Sequence, residues 1–229
     1  MPTVDLATTE LRELNEALHQ LSEGTNETHW EILNPRGSHA VAVGVNAPAD
    51  IAVQGNVGYY CAGMNRQARI TVRGSAGPGV AENMMSGEVI VKGDASQYAG
   101  ATGKGGLLVI EGNASSRCGI SMKGIDIVVK GNIGHMSAFM AQAGNLVVCG
   151  NAGDALGDSI YEARLFVRGS VKSLGADCIE KEMRPEHVEL LTRLLARASI
   201  GDVKVGDFKR YGSARKLYNF SVDHADAYG

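Results

Sequence analysis

Proline is scarce in this chain of 229 residues, with only 5. That excludes a proline-rich disordered segment and a collagen-like triple helix. Aromatic residues are also few: 4 Phe, 1 Trp and 7 Tyr. A core must therefore be built from small and β-branched side chains. There is no positive excess, the formal net charge being −3. Nucleic acid, whose phosphates call for lysine and arginine, is not the expected partner. No apolar run approaches the ~20 residues that a membrane-spanning helix needs, so no membrane association is expected. Residues 1–10 have neither a basic stretch nor an apolar one, and no secretion signal is read there. The cysteines, Cys61, Cys118, Cys149 and Cys178, lack C-x-x-C spacing. Neither a zinc site nor an iron–sulfur cluster is expected in this chain. Free thiols of this kind suit a reducing cytoplasm.

Glycine, by contrast, is abundant at 30 residues, about twice its usual share of ~7%. Its placement is periodic. Ile51-Ala-Val-Gln-Gly55, Ile70-Thr-Val-Arg-Gly74, Val89-Ile-Val-Lys-Gly93 and Leu108-Val-Ile-Glu-Gly112 resemble one another, and three similar segments end at Gly131, Gly150 and Gly169. These seven glycines are evenly spaced, each following the last by the same 19-residue step. Each segment reads as a short strand, because its run of mostly β-branched and aliphatic residues before a glycine suits a pleated ribbon and not a helix. A chain that makes one such strand per step coils upon itself, stacking parallel strands about 4.8 Å apart. The expected fold is all-β: a right-handed parallel β-helix of about seven 19-residue coils, its hand taken from parallel crossovers by analogy, with α-helices flanking it at both ends. The boundaries read as an N-terminal helical segment at 1–36, the β-helix at 37–178, and a C-terminal helix with an extended arm at 179–229.

The columns of this stack can be read chemically. Four and two residues before the repeat glycine, the side chains are Ile, Val or Leu in every coil, as in Ile70 and Val72, and fill the lumen. One residue before it the column is mostly charged and should face solvent. One residue after it stand Asn56, Ser75, Asp94, Asn113, Asn132, Asn151 and Ser170. Short polar groups stacked at a corner can satisfy turn backbone and bond from coil to coil. Seven residues after the glycine only Ala or Gly occurs. Cys61 and Cys118 share the column before that one, three coils or about 14 Å apart, too far for a disulfide. They read as core fillers.

The flanks are helical. Leu11, Leu14, Leu18 and Leu21 form one apolar face over residues 9–21, with Thr8 or Thr9 as the expected cap. Residues 185–198 begin on Pro185 and align Val188, Leu191, Leu195 and Ala198. Both helices are expected to close the ends of the rod, whose strand edges are otherwise exposed. Beyond them, Phe208 to Phe220 mixes aromatic and basic residues, including Lys209, Arg210, Tyr211, Arg215, Lys216 and Tyr218. It reads either as an arm reaching a partner or as a segment packed along its own rod.

One column departs from the polar-outside rule. Three residues before the glycine, where the side chain points out, stand Ile90, Val109, Val128, Val147 and Phe166 in successive coils. This greasy stripe is covered either by the chain's own terminal helices or by a partner subunit. A catalytic constellation is not apparent. Asp94, Asp126, Asp154 and Asp158 fall in different columns, His135 stands alone on a loop, and Gly100-Ala-Thr-Gly-Lys-Gly-Gly106 lacks the spacing of a phosphate loop. An independent carbohydrate-active β-helix would call for clustered acids and a secretion signal, and neither is seen.

The coils resemble the GXGXG β-helix that ends the large subunit of glutamate synthase, over roughly residues 40–178. The carriers are Gly55-Asn-Val-Gly58, Gly131-Asn-Ile-Gly134 and Gly150-Asn-Ala-Gly153. The β-helix subunit of formylmethanofuran dehydrogenase is similar and gives the alternative reading, an assembly subunit of that kind of complex. The segments 11–18, Gly157-Asp-Ser-Ile-Tyr161, Leu174-Gly-Ala-Asp-Cys178 and 208–220 look most like the stand-alone β-helix subunit of N-methylglutamate synthases. The resemblance implies a non-catalytic structural subunit. It would hold an amidotransferase-like subunit and an FMN-binding, iron–sulfur synthase subunit together, in a complex that makes N-methylglutamate and ammonia from methylamine and glutamate. It implies no cofactor in this chain; FMN and the cluster belong to the synthase partner. The stripe and the basic, aromatic arm are then the candidate subunit interface.

Overall fold

The computed structural model describes residues 1–24 and 28–217. It is a parallel β-solenoid of about seven coils with two helices. The strands are β1 (Thr3–Asp5), β2 (His29–Leu33), β3 (Asp50–Gln54), β4 (Arg69–Val72), β5 (Glu88–Val91), β6 (Leu107–Ile110), β7 (Lys123–Val129), β8 (Ala143–Val148), β9 (Arg164–Val167), β10 (Cys178–Lys181) and β11 (Lys209–Ser213). The helices are α1 (Leu11–His19) and α2 (Pro185–Arg197). One sheet of 11 strands runs in the order β1-β2-β3-β4-β5-β6-β7-β8-β9-β11-β10. From β3 to β9 each strand meets the next in parallel with a 19-residue offset, as in Ile51↔Ile70 and Ile70↔Val89. The expected register is therefore the observed one. The lumen columns are closed to solvent: Ile70, Val72, Val89, Val91, Leu108 and Ile110 are fully buried.

The repeat glycine is explained by the polar ladder beside it. The Asn56 Oδ1 accepts the Ser75 N–H at 2.8 Å, Asp94 Oδ1 that of Asn113 at 2.7 Å, Asn113 Oδ1 that of Asn132 at 2.9 Å, and Asn132 Oδ1 that of Asn151 at 2.8 Å. Each side chain thus caps an N–H of the next coil. A Cβ on Gly74, Gly112, Gly131 or Gly169 would lie under 3.0 Å from the ladder oxygen of the coil below and from the preceding glycine's backbone. A close approach, not an unusual φ, requires glycine here.

The opposite corner carries the strain of the fold. In the coil after β3, Tyr60, Ala62 and Met64 have φ of 62°, 56° and 56°. They lie in two overlapping turns, closed by Gly63 N–H to Tyr60 O at 3.3 Å and Asn65 N–H to Ala62 O at 3.4 Å. Turns of this hand want glycine at the left-handed position. Here the neighbouring coils hold non-glycine residues there, through Met64 N–H to Glu82 O and Ala81 N–H to Cys61 O, both 2.9 Å. Met64 is 45% exposed, so Met64→Gly should leave stability unchanged or raise it by up to about 1 kcal/mol, by relief of the left-handed penalty. Met64→Ile should lower it. Urea denaturation of the pair checks this.

The ends differ from expectation in three ways. α1 does bury Leu14 and Leu18 in the lumen cluster, but it begins after Glu10 with no side-chain cap. Thr8 and Thr9 instead turn back on Asp5, their N–H groups donating to its carbonyl at 3.1 and 2.9 Å. Residues 1–36 are not simply helical either: β1 and β2 extend the sheet, and Trp30 and Ile32 of β2 are buried. The step from His29 to its partner Asp50 is two positions longer than the step from Asp50 to Arg69, so this coil is invisible to the regular period. Third, α2 does not close the end of the rod. It lies on the sheet's outer face, while the C-terminal end of the sheet is finished by β10, with β11 inserted antiparallel between β9 and β10.

Candidate functional site

The outer face of the sheet is the surface on which a subunit role depends. The greasy stripe runs along it, and α2 covers most of that stripe. Val128, Val147 and Phe166 are fully buried and Val109 is 2% exposed, packed with Leu191, Leu194 and Leu195 of α2 and with Ala198, Ile200 and Phe208 beyond it. The stripe is thus coverage for the chain's own helix, and these four residues are not a free face for a partner. Cys149, expected to face solvent, is buried in the same cluster. Of the cover, Leu194, Ile200 and Phe208 escape a reading of helical spacing. Leu194 widens the α2 face beyond Leu191 and Leu195, while Ile200 and Phe208 lie outside the helix.

Helix length decides how far the cover reaches. Thirteen residues at about 1.5 Å each give about 20 Å, or about four strand spacings. α2 starts beside Arg164 of β9 and Arg210 of β11 and finishes at β7, where Arg197 Nη1 lies 3.5 Å from Asp126 Oδ2. The stripe continues past that point. Ile90, 9% exposed, sits at the margin, and Ala52 and Thr71 below it are half-buried. They line an open groove of about 430 Å³. Its banks carry charge: Arg69 Nε pairs with Glu88 Oε2 at 3.3 Å and Lys92 Nζ with Glu111 Oε1 at 2.6 Å. Exposed pairs of this kind add little stability and leave cations available to a partner.

The arm also belongs to this molecule. Lys209, Arg210 and Tyr211 are in β11, where they pair with Val167, Phe166 and Leu165 of β9. Tyr211 is 5% exposed, against the lumen cluster. The strand exit is held by Asp177, which accepts the Ser213 hydroxyl at 2.6 Å and the Lys216 N–H at 2.9 Å. The Ser213 bond and these backbone donors hold the Asp177 carboxyl below its usual pKa. Arg215 Nη2 pairs with Glu162 Oε2 at 2.8 Å. The reading of 208–217 as an arm on a partner is therefore replaced by the other one, packing along its own rod: β11 completes the hydrogen bonds of two strands at once. Tyr218 lies outside the described residues.

The reactive side chains have structural duties. Burial pushes the thiols of Cys61, Cys118 and Cys178 up to about 12 and that of Cys149 to about 11, so all four stay protonated and unreactive at neutral pH. Asp94 belongs to the ladder, Asp126 accepts from Asn145, Asp154 pairs with Lys172, and Asp158 accepts the Ala176 N–H. His135 is exposed on its corner. Among the described residues, no group of three or more His, Cys, Asp or Glu could hold a metal ion, and no helix is long and apolar enough to cross a membrane.

Fold and surface together define a parallel β-solenoid that carries its own helical cover and leaves a groove of its outer face open. Over 228 residues, about 100% of each of the two proteins, the chain is 72% identical to Protein GlxC of Rhizobium meliloti (strain 1021). The chain belongs to the GlxC family. No family model matches it.

Proposed function

We propose that the chain is the non-catalytic structural subunit of a glutamate synthase-like flavoenzyme complex, and that the complex is an N-methylglutamate synthase. The observation that carries this reading is the solenoid: evenly spaced coils in parallel register, three of them turned by Gly-Asn-x-Gly segments, as in the β-helix of the glutamate synthase large subunit. Full-length identity to a GlxC protein agrees with it. In this role the rod holds an amidotransferase-like subunit and an FMN and iron–sulfur synthase subunit at a fixed separation. The partner surface is the open groove at Ala52, Thr71 and Ile90 with its charged banks. The stripe under α2 is left out of that surface.

The test is affinity purification of the tagged chain from its native cells. Two larger chains should accompany it, with the yellow-brown absorption of flavin and iron–sulfur. Thr71→Arg in the groove should release a partner at unchanged melting temperature, since substitutions at such sites usually shift stability by no more than about 0.5 kcal/mol. A colourless chain recovered alone, while the flavin-bearing chain is soluble in the same extract, overturns the reading.

A further inference from the structure

A cavity of about 400 Å³ opens where α2 begins, between the helix and the C-terminal end of the sheet. Strand register builds its floor. Gly212 of β11 lies opposite Ile179 of β10 and contributes no side chain. A Cβ there would meet only Ala163 O at 3.7 Å and the Lys181 side chain at 3.8 Å, so the space above it is open. Arg210, two residues earlier on the same face, stands directly across from Lys181. Arg164 shares that face, being two residues from Phe166, the partner of Arg210 in β9. Arg184, just before α2, adds a fourth cation to the lining.

Like charges directly opposite in a sheet are destabilising, and little here neutralises them. The two carboxylates of the lining are Glu162 and Glu186, and Glu162 is engaged with Arg215. Arg184 is held by Glu182 at 3.2 Å. Arg210 Nε donates to a carbonyl, that of Glu182, at 2.9 Å, and Arg164 reaches only Asn145 Oδ1 at 3.5 Å. Among the described residues neither of these nor Lys181 has a carboxylate within ion-pair distance. His187, only 8% exposed, also lines the cavity. Its Nδ1 accepts the Arg184 N–H at 3.1 Å, which places the ring proton on Nε2. That second N–H has no partner among the described residues. Burial first, then the nearby Arg210, lowers the His187 pKa, so the ring is a neutral donor at pH 7.

We propose that this cavity binds a small polyanion, a molecule with two or more carboxylate or phosphate groups. Its lining is almost wholly polar, which suits a compact, densely charged ligand and not a greasy one. Arg164, Lys181 and Arg210 supply the charge, and His187 Nε2–H supplies a directed hydrogen bond. This inference does not rest on the subunit role proposed above.

The test uses the full chain, with inorganic pyrophosphate and glutarate as separate probes at ionic strength matched by chloride. Calorimetric titration should show saturable binding of at least one probe, and that probe should raise the melting temperature above the chloride control. The probe that responds identifies the anion class. Arg210→Gln and Lys181→Gln should each weaken binding about tenfold, in line with loss of a charge-assisted bond, while the unliganded variants melt at or above the parent. Gly212→Val keeps every charge and fills the floor, and should abolish binding. Absence of saturable binding for both probes overturns the proposal, as does unchanged affinity in both charge variants. Should Gly212→Val fail to fold, the charge variants decide.

Discussion

Val128→Asp is expected to lower the free energy of unfolding by about 3–5 kcal/mol, the range for a buried charge left without a partner, and to lift α2 from the sheet. Val128 is fully buried between β7 and α2. A carboxylate there finds the leucines of α2 and no cation in the cluster. The molecule can avoid that cost by exposing the face, losing the apolar contacts of Leu191, Leu194 and Leu195, each worth about 1.5–3 kcal/mol when fully buried. Limited proteolysis should then cut within 182–205 while the coils stay protected, and urea denaturation should show a reduced midpoint. Thr71→Asp, on the same column beyond the reach of α2, should change stability by no more than about 0.5 kcal/mol. Equal behaviour of the two variants would show that α2 does not cover the stripe.

Gly131→Ala should cost about 2–4 kcal/mol, although it adds a single methyl group. The new Cβ would lie 2.5 Å from Asn113 Oδ1 and 2.6 Å from Gly112 O. Overpacking of this sort costs about 1–3 kcal/mol. Displacing Asn113 also endangers its bonds from the Asn132 N–H and from Asn132 Nδ2 at 3.1 Å, each worth about 0.5–1.5 kcal/mol. Gly24→Ala is the control, since a Cβ there meets nothing within 4 Å. Thermal unfolding of the three proteins checks the comparison. A Gly131→Ala variant that melts with the parent would remove the ladder as the reason for the periodic glycine.

These two sites differ in how far their environment could be read from the residues. The surroundings of Gly131 repeat from coil to coil, so Asn113, Asn132 and the neighbouring glycines announce themselves by spacing. The side on which Val128 points is equally clear from strand alternation. What covers Val128 is not, because α2 begins only at Pro185, with three further strands in between, and its leucines would suit a rod end as well as a rod face. The cavity at Gly212 was less legible still. Arg164, Lys181 and Arg210 come together only because β11 runs antiparallel between two other strands, an exception to the parallel pattern that precedes it. Trp30 and Ile32 were hidden by a first coil two positions longer than the regular ones.

The sequence by itself determined the solenoid, its register and its lumen. A translational repeat needs only each coil's neighbours to be satisfied, so the rule for one coil is the rule for all. The tertiary structure alone decided which part of the outer face is covered, where the C-terminal strand inserts, and which cations are forced together. Those outcomes depend on unique contacts between segments distant in the chain, settled by apolar complementarity and open strand edges that no periodicity records.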